Sequence, residues 1–406
     1  MSNYQPNNQI LKNYADILIN FALGGGKGIK KGDVVRLNVP EVAKPLLFQL
    51  YQTVLKAGGH PLINYLPNDD KNFTFSKTYY QLASQDQLNF FPAKLSRGIV
   101  NQIDHSLSII ADLDKQALKA IDPVKIMTRN KVSKPLMDWY NAKENKGKFT
   151  WVIAMYGTQQ MAKEAKLSLE AYWQQIIKGC YLSHPDPISK WRQTASQITH
   201  IVKVLNSLAI KTLHIKGQAI DLKINLGEKR LWKGGSGRNI PSFEIFTSPD
   251  WRGTQGFISF NQPLYRYGNI IKDIKLEFKK GLVTKFLASQ NQAVLAQMIK
   301  TRNANKIGEF SLTDSRFSQI DKFMAETLYD ENVGGPQGNT HIALGMAYKD
   351  CYDGNPDKLT KKQWRDLGFN DSAIHTDIVS TTQRTVTATL ASGDEKLVYK
   401  NGQFTL

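Results

Sequence analysis

Within its first 65 residues the sequence switches three times between helix-like and strand-like periodicity, and this alternation limits the fold more than any other feature. Val34-Val35-Arg36-Leu37-Asn38-Val39 reads as a buried strand entered from a Lys31-Gly32-Asp33 turn. Pro45 to Ala57 has helical spacing and is stopped by Gly58-Gly59, after which Pro61-Leu62-Ile63-Asn64-Tyr65 reads as a second strand. Strand, helix and strand in this order argue for a parallel α/β sheet. Two further apolar runs, Leu107 to Ala111 and Trp151 to Tyr156, extend that sheet. Upstream, Ile10, Leu11, Tyr14, Ile17, Leu18 and Phe21 recur at helical spacing until Gly24-Gly25-Gly26. These glycines do not make a phosphate loop with Lys27 and Gly28, because they follow a helix and precede a strand.

The texture changes in the second half. Met161 to Tyr181 reads as one long amphipathic helix closed by Ser183-His184-Pro185-Asp186-Pro187, and Ser189 to Leu208 as another. Beyond it come short strands separated by Gly, Pro and Asn turns: Ala219–Leu226, Phe243–Phe246, Gly256–Phe260, Lys272–Phe278 and Leu282–Phe286. A length of 406 residues fits two domains. The expected architecture is an α/β N-terminal domain with a parallel sheet, residues 1–195, and an α+β C-terminal domain with a mainly antiparallel, curved sheet, residues 196–406.

No apolar run approaches the roughly 20 residues of a membrane span, so no membrane partner is expected. The start of the chain lacks the basic and apolar regions of a secretory signal. Cys180 and Cys351 form no CxxC pattern, and a reduced, cytoplasmic setting follows as the expectation. The net charge of +18 raises the question of nucleic acid. The lysines are scattered, however, and no helix-turn-helix, RRM or zinc-finger signature accompanies them. A basic solvated surface explains the charge better than a dedicated nucleic-acid role does.

HExxH, the GxSxG elbow and recognisable Cys–His spacings are all absent. The residues that could carry chemistry lie in the C-terminal half. In a strand, His375 and Asp377 project to one face, and imidazole with carboxylate suits zinc, cobalt or manganese; a polar pair at a strand end is the plainer alternative. His341 follows Asn339 and Thr340, either of which can cap a helix, and on that helix His341 and Tyr348 share a face. A capping or core histidine is the alternative there. Glu244 and Glu309 sit among apolar neighbours, where a carboxylate is costly unless it is paired or bound to a metal; an edge-strand Glu facing water would also fit.

Taken together and in order, these segments resemble the thermophilic metalloaminopeptidases, the family of aminopeptidase T and aminopeptidase S. The resemblance runs through Asn13–Leu23, Lys31–Val35, Lys56–Pro61, Leu167–Glu170, Asp186-Pro187 and Trp191. It continues through Arg238–Pro241, Glu244–Pro249, Gly308-Glu309, Asp330–Gly335, His341–Gly345, Tyr348 and His375–Asp377. It implies a two-metal exopeptidase acting on peptides with a free N-terminus, a homodimer, and an N-terminal domain involved in the dimer and in substrate access. It places Glu244, Glu309, His341, His375 and Asp377 on metal-ligand positions and Tyr348 on the active-site tyrosine. On chemical grounds Glu309 is the expected general base, since such a group must reach the metal-activated water directly. Phe243, Thr376 and the Asp314-Ser315-Arg316 stretch depart from the family pattern, which bears on substrate preference more than on metal binding. Two rival readings are a metal-site protein that acts on another amide substrate or only binds, and a basic, non-catalytic nucleic-acid-binding protein.

Overall fold

The structure is a computed structural model and describes residues 4–70 and 72–406. Contacts divide the chain into two compact units. One comprises residues up to 195 with 236–242 and 324–328, the other residues 196–235, 243–323 and 329–406.

The first unit holds the parallel sheet, with strands β1 (Val34–Pro40), β2 (His60–Leu66), β3 (His105–Ile110) and β4 (Thr150–Met155) in the order β2-β1-β3-β4. All four strands coincide with the runs expected from sequence. On β1, Val35, Leu37 and Val39 are fully buried on one face while Arg36 and Asn38 are half-buried on the other. The helix Lys44–Lys56 carries Pro in its first turn and buries Leu46, Leu47, Leu50 and Val54 before the chain turns into β2. The first helix, Asn8–Ile17, starts at Asn7, whose side chain accepts from the Ile10 amide at 2.9 Å, and continues as a π-helical turn to Ala22. Gly24, Gly25 and Gly26 then adopt left-handed φ of 68°, 65° and 87°, which ends the helix as expected.

The single helix expected over Met161–Tyr181 is two: Gln159–Glu164 and Leu169–Gly179. Lys166 takes φ 58° between them, and the Ser168 hydroxyl accepts from the Ala171 amide at 3.1 Å, starting a new helix. A cap that reads in sequence as one more polar position on an amphipathic face is here a helix boundary.

The second unit holds β5 (Ile210–Gly217), β6 (Ile220–Asn225), β7 (Lys233–Gly234), β8 (Glu244–Thr247), β9 (Asp250–Phe260), β10 (Leu264–Arg266), β11 (Asn269–Ile271) and β12 (Ile274–Lys279). It continues with β13 (Leu282–Leu287), β14 (Ile307–Thr313), β15 (Asn339–Gly345), β16 (His375–Ser380), β17 (Arg384–Leu390), β18 (Glu395–Lys400) and β19 (Gln403–Phe404). An eight-stranded antiparallel sheet runs β13-β12-β9-β6-β5-β17-β18-β19, a five-stranded antiparallel sheet runs β16-β15-β14-β8-β7, and β10-β11 form a separate hairpin. Asp314, in one of the stretches that depart from the family pattern, pairs with Arg316 at 2.5 Å and accepts from the Phe404 amide at 2.9 Å, holding down the last strand.

A second expectation is overturned. Asn339 and Thr340 start no helix: Asn339–Gly345 is β15, buried on both faces in the middle of the five-stranded sheet. His341 and Tyr348 therefore share no helix face. A central strand lacks the alternation of buried and exposed positions that marks a half-exposed one, and Ala, Leu and Met favour helix locally. Pairing with β14 and β16 overrides that preference.

The register of β14 against β15 slips between Ile307 and Glu309, so Gly308 is the extra residue of a bulge. A Cβ at Gly308 would lie 2.3 Å from the Met346 carbonyl oxygen and 2.6 Å from that of Gly345. Gly308→Ala is expected to destabilise the protein by roughly 1–3 kcal/mol, as overpacking does. Urea unfolding midpoints test this, and an unchanged midpoint would show that the bulge has room for a methyl group.

Candidate metal centre

The register of the five-stranded sheet puts every sequence-derived ligand on one face. Thr313 lies opposite Glu244, Ser311 opposite His341, Ala343 opposite both Glu309 and Asp377, and Gly345 opposite His375. Side chains of one face recur every second residue, so Glu244, Glu309, His341, His375 and Asp377 come from four adjacent strands and point the same way. The small residues Ser311, Ala343 and Gly345 lie between them and leave the floor low. The opposite face, with Phe310, Leu312, Ile342, Leu344 and Ile378, is buried core.

Glu309 is at the centre of the group. Its Oε1 lies 3.0 Å from His341 Nε2 and its Oε2 lies 3.6 Å from His375 Nε2. His341 Nε2 also lies 3.3 Å from Glu244 Oε2, and His375 Nε2 lies 3.2 Å from Asp377 Oδ1. Glu309 and His341 are almost wholly buried, at 3% and 1% exposure. Three overlapping groups of potential ligand atoms result, each within 4.8 Å: Glu244, Glu309 and His341; Glu309, His375 and Asp377; and Glu331, His341 and Asp377.

Glu331 is a member that the sequence reading did not assign. It lies between Asp330 and Asn332, a polar run that looks like a solvated turn, yet it is buried. Its backbone carbonyl accepts from Asn339 Nδ2 at 2.7 Å and from the Thr313 hydroxyl at 3.0 Å. Asn332 next to it accepts from the Phe243 amide at 2.6 Å. Phe243 is fully buried and acts here through its backbone. No local pattern in the sequence signals the burial of Glu331, which comes from contacts with three separate strands.

Further polar contacts set the orientations. His375 Nδ1 bonds to the Met346 carbonyl at 2.7 Å; a carbonyl can only accept, so Nδ1 carries the proton and Nε2 faces the carboxylates. Tyr348 follows β15, where its amide donates to the Ser248 hydroxyl at 2.8 Å. Its ring packs 4.8 Å from His375 and 5.8 Å from Phe246. Tyr348 thus reaches the site from a loop and not from the helix expected.

The charges are strongly coupled. Burial pushes the Glu309 carboxyl up to about 7 and Glu244 adds to the rise, against the opposing hydrogen bond from His341. Burial, reinforced by Glu244 and Asp377, raises Glu331 well above the usual carboxylate range. Burial alone would lower the histidines, but Glu244 and Glu309 hold His341 well above its ordinary value, and Asp377 holds His375 at about 9. Burial opposes the fall at Asp377, yet the His375 charge draws it to about 2.

Four carboxylates in a buried place are costly without a cation, and in its absence Glu309 and Glu331 are pushed towards the neutral acid and the two imidazoles towards the protonated form. His341 Nδ1 is buried and makes no hydrogen bond, and the buried Asp377 Oδ1 has His375 Nε2 beside it at 3.2 Å. The donor set is all oxygen and imidazole nitrogen, the set used by divalent zinc, cobalt and manganese. The residues therefore fit divalent metal, and two such ions would offset four carboxylates at roughly +4 against −4. Removing divalent ions with a chelator is expected to lower the melting temperature, and restoring zinc, cobalt or manganese to raise it. Free ion at 100-fold over its dissociation constant would contribute about 2.7 kcal/mol. Calorimetry with and without the ions checks this, and identical melting curves would count against a metal centre.

The sequence profile of the thermophilic metalloprotease family, M29, matches residues 7–404. Aminopeptidase PepS of Streptococcus thermophilus is 24% identical over the full length of both chains. Aminopeptidase T of Thermus thermophilus is 25% identical over 89% of this chain and 90% of its own. The solved structure of wild-type AmpT from Thermus thermophilus superposes with a TM-score of 0.82, covering 98% of this chain and 99% of that one at 22% identity.

Proposed function

The chain belongs to the thermophilic metalloprotease family M29 and is a peptidase, and on that premise we propose that it is a metal-dependent aminopeptidase with a two-metal site. The observation that carries the reading is the position of Glu309, which offers one carboxylate oxygen to each of two histidine-containing groups. In this reading Glu244, Glu309 and His341 hold one ion and Glu309, His375 and Asp377 the other, with Glu331 beside His341 and Asp377. When bound, such ions polarise a scissile carbonyl and lower the pKa of a shared water.

The chain's own groups supply the rest. Glu309 accepts the proton of the attacking water, being the carboxylate central to the group. Tyr348, held over His375 by Ser248 and Phe246, donates a hydrogen bond from its phenol to the oxyanion that develops on the scissile carbonyl. Selectivity for peptides with a free α-amine would follow if one of the ions held here also took that amine as a ligand. Zinc, cobalt and manganese all suit the donors. The reading extends, on family likeness, to a cytoplasmic homodimer whose N-terminal unit serves dimer contact and substrate access.

Leucine p-nitroanilide should be cleaved, its N-acetyl derivative should not, and chelation should abolish cleavage until zinc, cobalt or manganese is restored. Cleavage of the acetylated substrate, or cleavage that persists after chelation, would overturn the reading. Glu309→Gln is expected to lower kcat by about 100-fold or more, the scale of lost acid–base catalysis, while the circular dichroism spectrum is kept. Full activity would remove Glu309 from the mechanism. His375→Ala is expected to bind less metal per chain by elemental analysis, and unchanged stoichiometry would remove it from the ligand set.

A further inference from the structure

An uncovered strand edge shows a row of backbone donors and acceptors, so folded chains keep such strands short, cover them or place charge on them. Most edges here follow that rule. β7, β10, β11 and β19 have three residues or fewer, β13 carries Lys285 near its middle, and β16 is buried along most of its length. β4 is covered: the Ile153 amide donates to the Arg238 carbonyl at 2.9 Å, and the Ile240 amide donates to the Ile153 carbonyl at 3.0 Å.

β2 is the exception. It is seven residues long, and among the described residues no strand pairs with its outer edge. Pro61 stands at its start and leaves Leu62 to Leu66 open, a run without a charged residue. Leu62, Ile63, Tyr65 and Leu66 are 39–51% exposed, and since successive side chains alternate, they lie uncovered on both faces of the strand. Asn64 between them donates from Nδ2 to Asn38 Oδ1 at 2.9 Å, which ties β2 to β1 on its inner side only.

The helix Lys44–Lys56 leads into β2, packs against it and carries a second row. Phe48, Tyr51 and Leu55 are spaced three and four residues apart, so they share one helix face, and they are 37–58% exposed. Together the seven side chains leave roughly 600 Å² of apolar area open, as much as the largest patch of an ordinary monomer and most of the 800 Å² or so that each partner gives to a stable interface. From Pro45 to Leu66 only Lys56 carries formal charge, in a chain whose net charge is +18. A surface so poor in cations does not suit nucleic acid or an anionic membrane. It does suit a second copy, which the basic remainder of the surface would repel.

We propose that β2 and the helix Lys44–Lys56 form the contact between two copies of this chain, the two β2 strands pairing antiparallel across a two-fold axis. An edge strand is complementary to itself about such an axis, and the two four-stranded sheets join into one of eight strands. A pairing centred on Asn64 sets Leu62 of one copy opposite Leu66 of the other, and Ile63 opposite Tyr65, apolar against apolar on both faces. The helix, as the crossover from β1 to β2, comes to lie beside its copy on one face of the joined sheet. The inference rests on the homodimer reading and deepens it by naming the surface.

Sedimentation equilibrium of the full-length protein tests this. Wild type is expected to show twice the chain mass at about 10 μM, since interfaces of this size bind at micromolar concentrations or tighter. Ile63→Lys and Leu62→Lys bring like charges together across the axis, and each is expected to raise the dimer dissociation constant roughly 100-fold or more. Leu287→Lys, at an exposed leucine of the other long edge strand, β13, should leave it unchanged. Hydrogen exchange on wild type decides if the variants do not fold: outward amides of Leu62–Leu66 should exchange more slowly in concentrated than in dilute protein. A wild-type dimer that both β2 variants leave intact, or whose β2 exchange is independent of concentration, overturns the inference and leaves the homodimer reading standing. A wild type that is monomeric at every concentration overturns both. Metal-dependent cleavage of leucine p-nitroanilide is measured separately, so the aminopeptidase reading stands or falls on its own.

Discussion

The carboxylate of Glu309 lies between two imidazoles, in a place almost closed to water, and much of the second unit serves to hold it there. A lone buried carboxylate would protonate or draw in water. Here it is held by charge on several sides: His341 and His375 approach it, Glu244 and Asp377 approach the histidines, and Glu331 closes the group. Such a cluster is stable only if its backbone is fixed, since each group is tolerable only because its neighbours keep their positions. Putting the residues on four adjacent strands meets this need, because the ladder hydrogen bonds set the spacing before any side chain is placed.

The surroundings follow the same logic. Small residues on the site face, Ser311 and Ala343, keep the floor open, while Phe310, Leu312, Ile342 and Leu344 on the reverse face anchor the strands in the core. The bulge at Gly308 lets the chain approach the Met346 carbonyl, which in turn fixes the tautomer of His375. Behind Tyr348, a cluster of Phe246, Ala347, Cys351, Tyr352, Trp364 and Phe369 makes a rigid backing. Cys351 is buried within it, with burial pushing the thiol well above its ordinary range, so it is a packing residue and not a nucleophile.

Arg230 shows how far this support extends. Its Nε donates to the Ser248 carbonyl at 2.6 Å, its terminal nitrogens donate to Glu228 and Leu367, and its guanidinium lies 3.6 Å from the Phe369 ring centre. Burial draws it down to about 10. A charged group is thus spent on three backbone carbonyls to steady the segment whose Ser248 hydroxyl receives the Tyr348 amide. The same economy of backbone contacts positions Glu331, which no side-chain partner of opposite charge singles out in the sequence.

The strand–helix–strand order of the first unit was legible in the sequence because Val34–Val39, Pro45–Ala57 and Pro61–Tyr65 are each marked by local periodicity and by glycine stops. His375 and Asp377 were legible as a same-face pair for the same reason, since a two-residue spacing has only one meaning in a strand. β15 was not: a strand buried on both faces has no alternation, and its Ala343 and Leu344, with Met346 and Ala347 after them, favour helix until β14 and β16 pair with it. Glu331 looked like part of a solvated turn. The sequence by itself determined residue chemistry and local period, which physics enforces within a few residues. Only the tertiary structure decided which carboxylates share a buried space and which carbonyl orients His375, because those depend on register between strands far apart along the chain, and strand register is settled by long-range packing.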